Sequence, residues 1–360
     1  MNLTEYLSGS IDGIFRRALR FPLASPRESS FLIRAAALQK KAAGRRLQAE
    51  REGGPVPPFL IASIASRCNL HCAGCYARAN RICADAAAAG ELTAARWGEL
   101  FGEAETLGVS FILLAGGEPL ERPDVLEQAA KTNGLIFPVF TNGTLFTEKA
   151  LGRFDRCRHL VPIVSVEGGR PETDARRGKG TFRLISRAME EMRRRGILYG
   201  VSITVTKKNL DSVTGEEFVA GLRENGCRIV LFVEYVPADG GTDLELGEKE
   251  REILAGRQEA LRADFTDMIF ISFPGDEQQM GGCLAAGRGF FHINPFGGAE
   301  PCPFSPYAGT DLKTGSIRRA LGSALFRKIR QSGLQAEKHA GGCVLFDRRT
   351  AVENLLASLD

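Results

Sequence analysis

Three cysteines, Cys68, Cys72 and Cys75, stand in the run Cys-Asn-Leu-His-Cys-Ala-Gly-Cys-Tyr, directly after the apolar stretch 59–65. Three thiolates at this C-x3-C-x2-C spacing can hold one face of an iron–sulfur cluster. A closed tetrahedral zinc site asks for four ligands. On a [4Fe–4S] cluster one iron would lack a protein ligand and could bind a small molecule.

A second cysteine set lies near the C-terminus. Cys283 and Cys302 frame Phe290-Phe291-His292-Ile293-Asn294-Pro295-Phe296-Gly297-Gly298, an apolar run followed by turn residues. That order predicts a β-hairpin. Cys343, after Gly341-Gly342, is a third candidate ligand. A structural zinc ion is the competing reading of this set. Cys83, Cys157 and Cys227 match no ligand spacing and are expected to be small buried apolar residues.

The elements that must position these groups alternate from Phe59 onward. Apolar, β-branched runs at 59–65, 109–115, 135–141, 160–166, 198–205 and 229–236 read as strands buried on both faces. Helical patterns lie between them, one capped by Thr93 and another running from Thr181 to a stop at Gly196. The expected fold class is α/β, a partial (β/α)6 TIM-like barrel over residues 56–270. In such a barrel functional groups gather at the C-terminal ends of the strands. The first cysteine, Gly116-Gly117-Glu118-Pro119, Thr141-Asn142-Gly143, Ser165-Val166-Glu167 and Glu234-Tyr235 all fall there. Residues 271–360 are expected to form a small cluster-binding domain.

Residues 1–55 carry ten Lys or Arg against five acids. Ser29-Ser30 before Phe31-Leu32-Ile33 predicts a capped helix start, and Gly53-Gly54-Pro55 predicts its end. The segment reads as a helical extension packed on the barrel with a solvated basic face, or as a basic amphipathic element for peripheral membrane contact.

The chain's 360 residues are enough for a full barrel or two domains, and its 44% apolar content suits a globular protein. A net charge of +4 gives no reason to expect nucleic-acid binding. No apolar run is long enough to span a membrane, and no signal-peptide pattern opens the chain. Nine clustered cysteines in a chain of this length fit a reducing cytoplasm better than a disulfide scaffold.

The cysteine spacing, the Tyr76 that follows it and Gly116-Gly117-Glu118-Pro119 about forty residues on resemble the radical S-adenosylmethionine (SAM) superfamily. The resemblance implies an oxygen-sensitive enzyme that cleaves SAM reductively to a 5′-deoxyadenosyl radical. That radical would abstract hydrogen from a small-molecule or peptide substrate. It implies an electron donor such as ferredoxin or flavodoxin. The glycines would let the backbone approach SAM's methionine part, and Glu118 would accept from its ammonium. Tyr76 would lie near adenine. Thr141, Asn142, Ser165 and Glu167 would line the cofactor pocket, and Arg177, or the adjacent Arg176, would pair with the SAM carboxylate.

Cys283, Gly297 and Cys302 fit C-x13-G-x4-C, which resembles the opening of the family's SPASM or twitch auxiliary-cluster domain. Pro303-Phe304-Ser305-Pro306 stands where further cysteines would follow in the full pattern. The resemblance therefore implies one auxiliary [4Fe–4S] cluster on Cys283, Cys302 and Cys343. Its fourth position would be open, substrate-bound, or filled by His292, His339 or another side chain. Glu234 and Tyr235 are candidates for proton or hydrogen-atom relay. His71 is expected to face solvent or the cysteine loop. The competing class is an iron–sulfur scaffold or electron carrier without SAM chemistry, which would need neither the Gly-Gly-Glu-Pro turn nor the barrel.

Overall fold

The β-branched runs become a continuous sheet in the computed structural model, which describes residues 3–21, 25–336 and 343–359. Its first strands are β1 (Phe59–Ala65), β2 (Phe111–Gly116), β3 (Phe137–Thr141), β4 (Leu160–Val166), β5 (Gly200–Val205), β6 (Ile229–Glu234) and β7 (Ile269–Phe273). Each pairs in parallel with the next. Helices cover the outside, as parallel strands require. The helix Ala94–Leu107 shows why. Thr93 caps it by accepting from the Arg96 N–H, and Gly108 ends it at φ +92°. Its buried residues, Trp97, Leu100, Phe101 and Ala104, recur at helical spacing. Phe101 meets Phe137 of β3 edge-on at 5.0 Å. Each such aromatic or leucine contributes about 1.5–3 kcal/mol by leaving water.

The partial barrel is thus present, with one more parallel strand than the six expected. The 270/271 boundary falls inside β7. The C-terminal region also joins the sheet. Strands β8 (His292–Ile293), β9 (Gly298–Glu300) and β10 (Thr310–Asp311) extend it on the far side, giving the order β10-β9-β8-β1-β2-β3-β4-β5-β6-β7. The hairpin between β8 and β9 forms where its turn residues predict it, and β8 pairs in parallel with β1. A small helical domain follows.

Helices α1 (Leu3–Ala18) and α2 (Pro26–Arg51) precede the barrel. The second starts at Pro26 with Ser25 at its cap position, not at Ser29-Ser30, which lie inside it. Proline in the first turn gives up no hydrogen bond and presets φ, so it wins over the serines. Ile11, Phe15, Phe31, Leu32 and Ala35 pack against Ile136, Val161, Leu198 and Ile269, near the starts of the strands. The pair therefore plugs the N-terminal end of the barrel. Its basic face is not wholly solvated. Arg46 is buried and donates to Gly108 O at 2.6 Å, Ser110 Oγ at 2.7 Å and Ser8 Oγ at 3.2 Å. No helix among the described residues is long and apolar enough to cross a membrane.

Candidate active site

With the N-terminal end closed, the strands' C-terminal ends carry the site. β1 runs into the cysteine loop, which folds around its own backbone. Arg78, one turn beyond Cys75, donates to Cys68 O at 3.2 Å and to Leu70 O at 2.9 Å. It also pairs with Asp85, which His71 meets at 2.8 Å from an exposed position. Ala73 N–H donates to Arg176 O at 2.9 Å, tying the loop to the segment after β4. Nothing in the spacing of Arg78 marks it as the residue that shapes the loop.

Cys68, Cys72 and Cys75 are half-buried, unpaired thiols. Burial pushes Cys68 up to about 11. A thiol buried in this way stays protonated unless a cation replaces the proton. Cys83, expected only to fill space, is buried and hydrogen-bonds to Cys75, holding it below the usual thiol range. Cys227 is fully buried as expected, and Cys157 is half-buried against the core. Among the described residues no three His, Cys, Asp or Glu side chains converge closely enough for a single metal ion. The loop's three soft donors suit a wider iron–sulfur body.

The Gly-Gly-Glu-Pro turn serves the chain's own backbone. A β-carbon on Gly117 would lie 2.0 Å from Arg67 O, and one on Gly116 2.6 Å from Ala65 O. Gly117 N–H donates to Ala65 O at 2.7 Å, and Glu118 N–H to Arg67 O at 2.8 Å. The glycines thus press β2 against the entry to the cysteine loop. Glu118 turns inward and is fully buried. Its carboxylate accepts from Thr141 Oγ1 at 2.7 Å, Asn142 N–H at 2.7 Å and Leu120 N–H at 3.0 Å. Desolvation raises it to about 7 against those bonds. Pro119 opens the short turn that Glu118 caps. Asn142 continues the network, donating to Asn69 Oδ1 in the cysteine loop at 2.9 Å.

At the end of β4, Glu167 Oε1 accepts from Arg176 Nη1 at 2.6 Å and Arg177 Nε at 2.7 Å. The sequence placed these three near one another but did not pair them. Arg177 Nη1 also lies 3.9 Å from Cys72 Sγ, so its positive charge faces the thiol. Glu167 Oε2 is buried without a partner. Ser165 is partly exposed, and its hydroxyl takes no protein hydrogen bond among the described residues. Tyr76 packs edge-on against Phe304 at 5.0 Å, which turns its ring toward the C-terminal region.

Glu234 and Tyr235 close β6 and point to different places. Tyr235 lies over Gly74 in the cysteine loop, and its hydroxyl donates to Asp239 Oδ1 at 2.7 Å. Glu234 is buried beside the 272–277 segment, and desolvation raises it to about 7.

That segment leads to the second cysteine set. Cys283, Cys302 and Cys343 are all buried, and the Cys302 and Cys343 thiols hydrogen-bond to each other. Gln335 locks Cys283 by accepting its N–H at 2.8 Å and donating to its carbonyl at 3.1 Å. Glu277, which the sequence did not single out, hydrogen-bonds to Cys283. His292 is corrected as a candidate ligand. One ring nitrogen meets Ser63 Oγ and the other Glu300 Oε2, both at 2.7 Å, so neither is free. His339 lies outside the described residues.

Comparison with known proteins agrees with this geometry. Residues 62–214 match the radical SAM superfamily. An AdoMet-dependent heme synthase of Methanosarcina barkeri is 27% identical over 301 residues, covering 76% of this chain and 85% of the relative. The mycofactocin maturase MftC of Mycolicibacterium smegmatis is 26% identical over 318 residues, covering 83% and 78%. Streptococcus suis SuiB bound to S-adenosylmethionine superposes with a TM-score of 0.66 at 16% identity, over 91% of this chain and 79% of that one. Native anSMEcpe with bound AdoMet and a peptide gives 0.58 at 15% identity, over 84% and 99%. At such identities the structures establish the shared fold.

Proposed function

The chain belongs to the radical SAM superfamily, and from that we propose that it cleaves SAM with an electron supplied by a [4Fe–4S] cluster on Cys68, Cys72 and Cys75, giving a 5′-deoxyadenosyl radical that takes hydrogen from substrate. The observation that carries this reading is the cysteine loop itself. Three half-buried thiols sit together at the C-terminal end of β1, held by Arg78, Asn69 and the backbone of Arg176.

The surrounding residues have separate tasks. Glu118, Thr141 and Asn142 fix the strand ends under the loop. Arg177 faces Cys72 and favours thiolate there, and it or the adjacent Arg176 would pair with the SAM carboxylate. Ser165 offers a free hydroxyl to the ribose or methionine part of SAM. The buried sheet and its N-terminal plug exclude water from the radical.

Cys283, Cys302 and Cys343 would hold one auxiliary [4Fe–4S] cluster; three buried thiols, two of them in hydrogen-bond contact, support that assignment. The electron would come from a ferredoxin- or flavodoxin-type donor. The substrate is a small molecule or a peptide, and the relatives fall into the same two classes, named for heme synthesis on one side and for maturation or peptide cyclisation on the other.

The test is iron content and 5′-deoxyadenosine release by anaerobically purified protein with SAM and dithionite. About eight irons per chain with release supports both clusters, and about four with release supports the SAM site alone. No release, together with no SAM binding, would return the chain to the electron-carrier class.

A further inference from the structure

The auxiliary cysteines number three among the described residues, and a four-iron cluster has four metal corners. What meets the fourth is decided by the side chains around Cys283. His292 has both nitrogens engaged. Arg288 is a donor only, and its guanidinium is spent on Met280 O, Gly282 O and Cys283 O. Glu277 remains. It lies in the short helical turn Gly275–Met280 that leaves β7, and its backbone is pinned at both ends. Its N–H donates to Pro274 O at 2.7 Å, and its carbonyl accepts from Gly282 N–H at 3.1 Å. The side chain is 6% exposed and touches the Cys283 thiol, and its Oε1 has no hydrogen-bond partner.

A buried carboxylate without a cation or a full set of donors is costly. No salt bridge to Glu277 exists among the described residues; the Leu284 N–H, the Cys283 thiol and the more distant charge of Arg288 offset only part of its burial, and the nearby acid Glu234 adds repulsion. A metal ion beside Cys283 would relieve both. We propose that Glu277 is the fourth protein ligand of the auxiliary cluster, an oxygen donor completing Cys283, Cys302 and Cys343. The site is then closed by the chain itself, and substrate does not bind its iron. The inference rests on the auxiliary-cluster reading above.

The experiment uses the full chain carrying Cys68→Ala, Cys72→Ala and Cys75→Ala, so that any cluster left is the auxiliary one. Iron and sulfide reconstitution, iron content and the electron paramagnetic resonance spectrum of the dithionite-reduced protein are measured with and without cyanide. With Glu277 present, about four irons and a spectrum indifferent to cyanide are expected. With Glu277→Ala the spectrum should shift and become cyanide-sensitive, and mild oxidation should release roughly one iron of the four. Glu277→Gln keeps the side chain's shape and removes its charge, which separates ligation from folding. Its spectrum should also shift. An unchanged spectrum in both variants, or cyanide binding with Glu277 intact, overturns the ligand assignment. No iron in the parent overturns the auxiliary cluster itself, a different failure with a different readout.

Discussion

The Tyr235 ring rests on Gly74 so closely that a β-carbon at Gly74 would lie 2.5 Å from Cε2 and 3.0 Å from the hydroxyl. The end of β6 thereby sets the height of the cysteine loop. Gly74 also sits at φ +68°, a conformation that side chains resist. Gly74→Ala should therefore push the loop off Tyr235 and lower iron incorporation at the SAM site. Tyr235→Phe keeps the ring, loses the hydroxyl's bonds to Asp239 and Gly241 O, and should retain iron. Equal iron in Gly74→Ala and the parent protein would remove this contact from the account.

Alanine at Cys68, Cys72 or Cys75 should abolish 5′-deoxyadenosine release and leave auxiliary iron in place. Cys283→Ala or Cys302→Ala should instead lower iron by up to about four per chain. Release that survives any of the first three changes contradicts the loop as cluster ligand.

Glu118 binds strand ends, so its replacement should act on structure before it acts on SAM. Glu118→Ala leaves the Thr141 hydroxyl and the Asn142 and Leu120 N–H groups without their acceptor. A cost of about 1–3 kcal/mol in unfolding free energy is expected, measured by anaerobic denaturation. A variant of full stability with weakened SAM binding would put the carboxylate back on the ligand.

Glu28 on α2 meets Arg158 at 2.8 Å, and both are buried. Arg158 also pairs with Asp155, so it is the loss of Arg158 that strands a charge, at Glu28. Arg158→Ala should destabilise the chain by about 3–5 kcal/mol, whereas an exposed pair such as Arg257 with Asp211 should be worth under about 1 kcal/mol. Denaturation midpoints at equal slope report both.

Glu234 titrates near 7 in the fold and at 4.5 in its ordinary state. The fold favours the protonated acid, so its contribution is complete below 4.5 and lost as pH rises through about 7. Stability should fall by up to about 3 kcal/mol across that window on this account. Glu234→Gln should flatten that part of the profile. A profile identical to the parent's would show that Glu234 titrates in the fold as it does in the unfolded chain.

The sequence by itself determined the chemistry-bearing residues and the strands that carry them. The cysteine spacing is local, so it is readable without a fold. The strands are readable because burial on both faces demands unbroken apolar runs, and Thr93 marks a helix start through a bond to its own neighbour Arg96. What the sequence could not decide was which side chains meet across long separations. The glycines before Glu118 permit close approach, whether to a ligand or to another strand. Only the fold shows that the approaching partner is the backbone at Ala65 and Arg67. The N-terminal arginines looked solvated because charge usually is, yet Arg46 finds three oxygen acceptors 38 to 64 residues away. His292 and Glu277 exchanged places as candidate ligands for the same reason. A hydrogen bond or its absence is a fact of three-dimensional neighbours, and Ser63, 229 residues before His292, settles it.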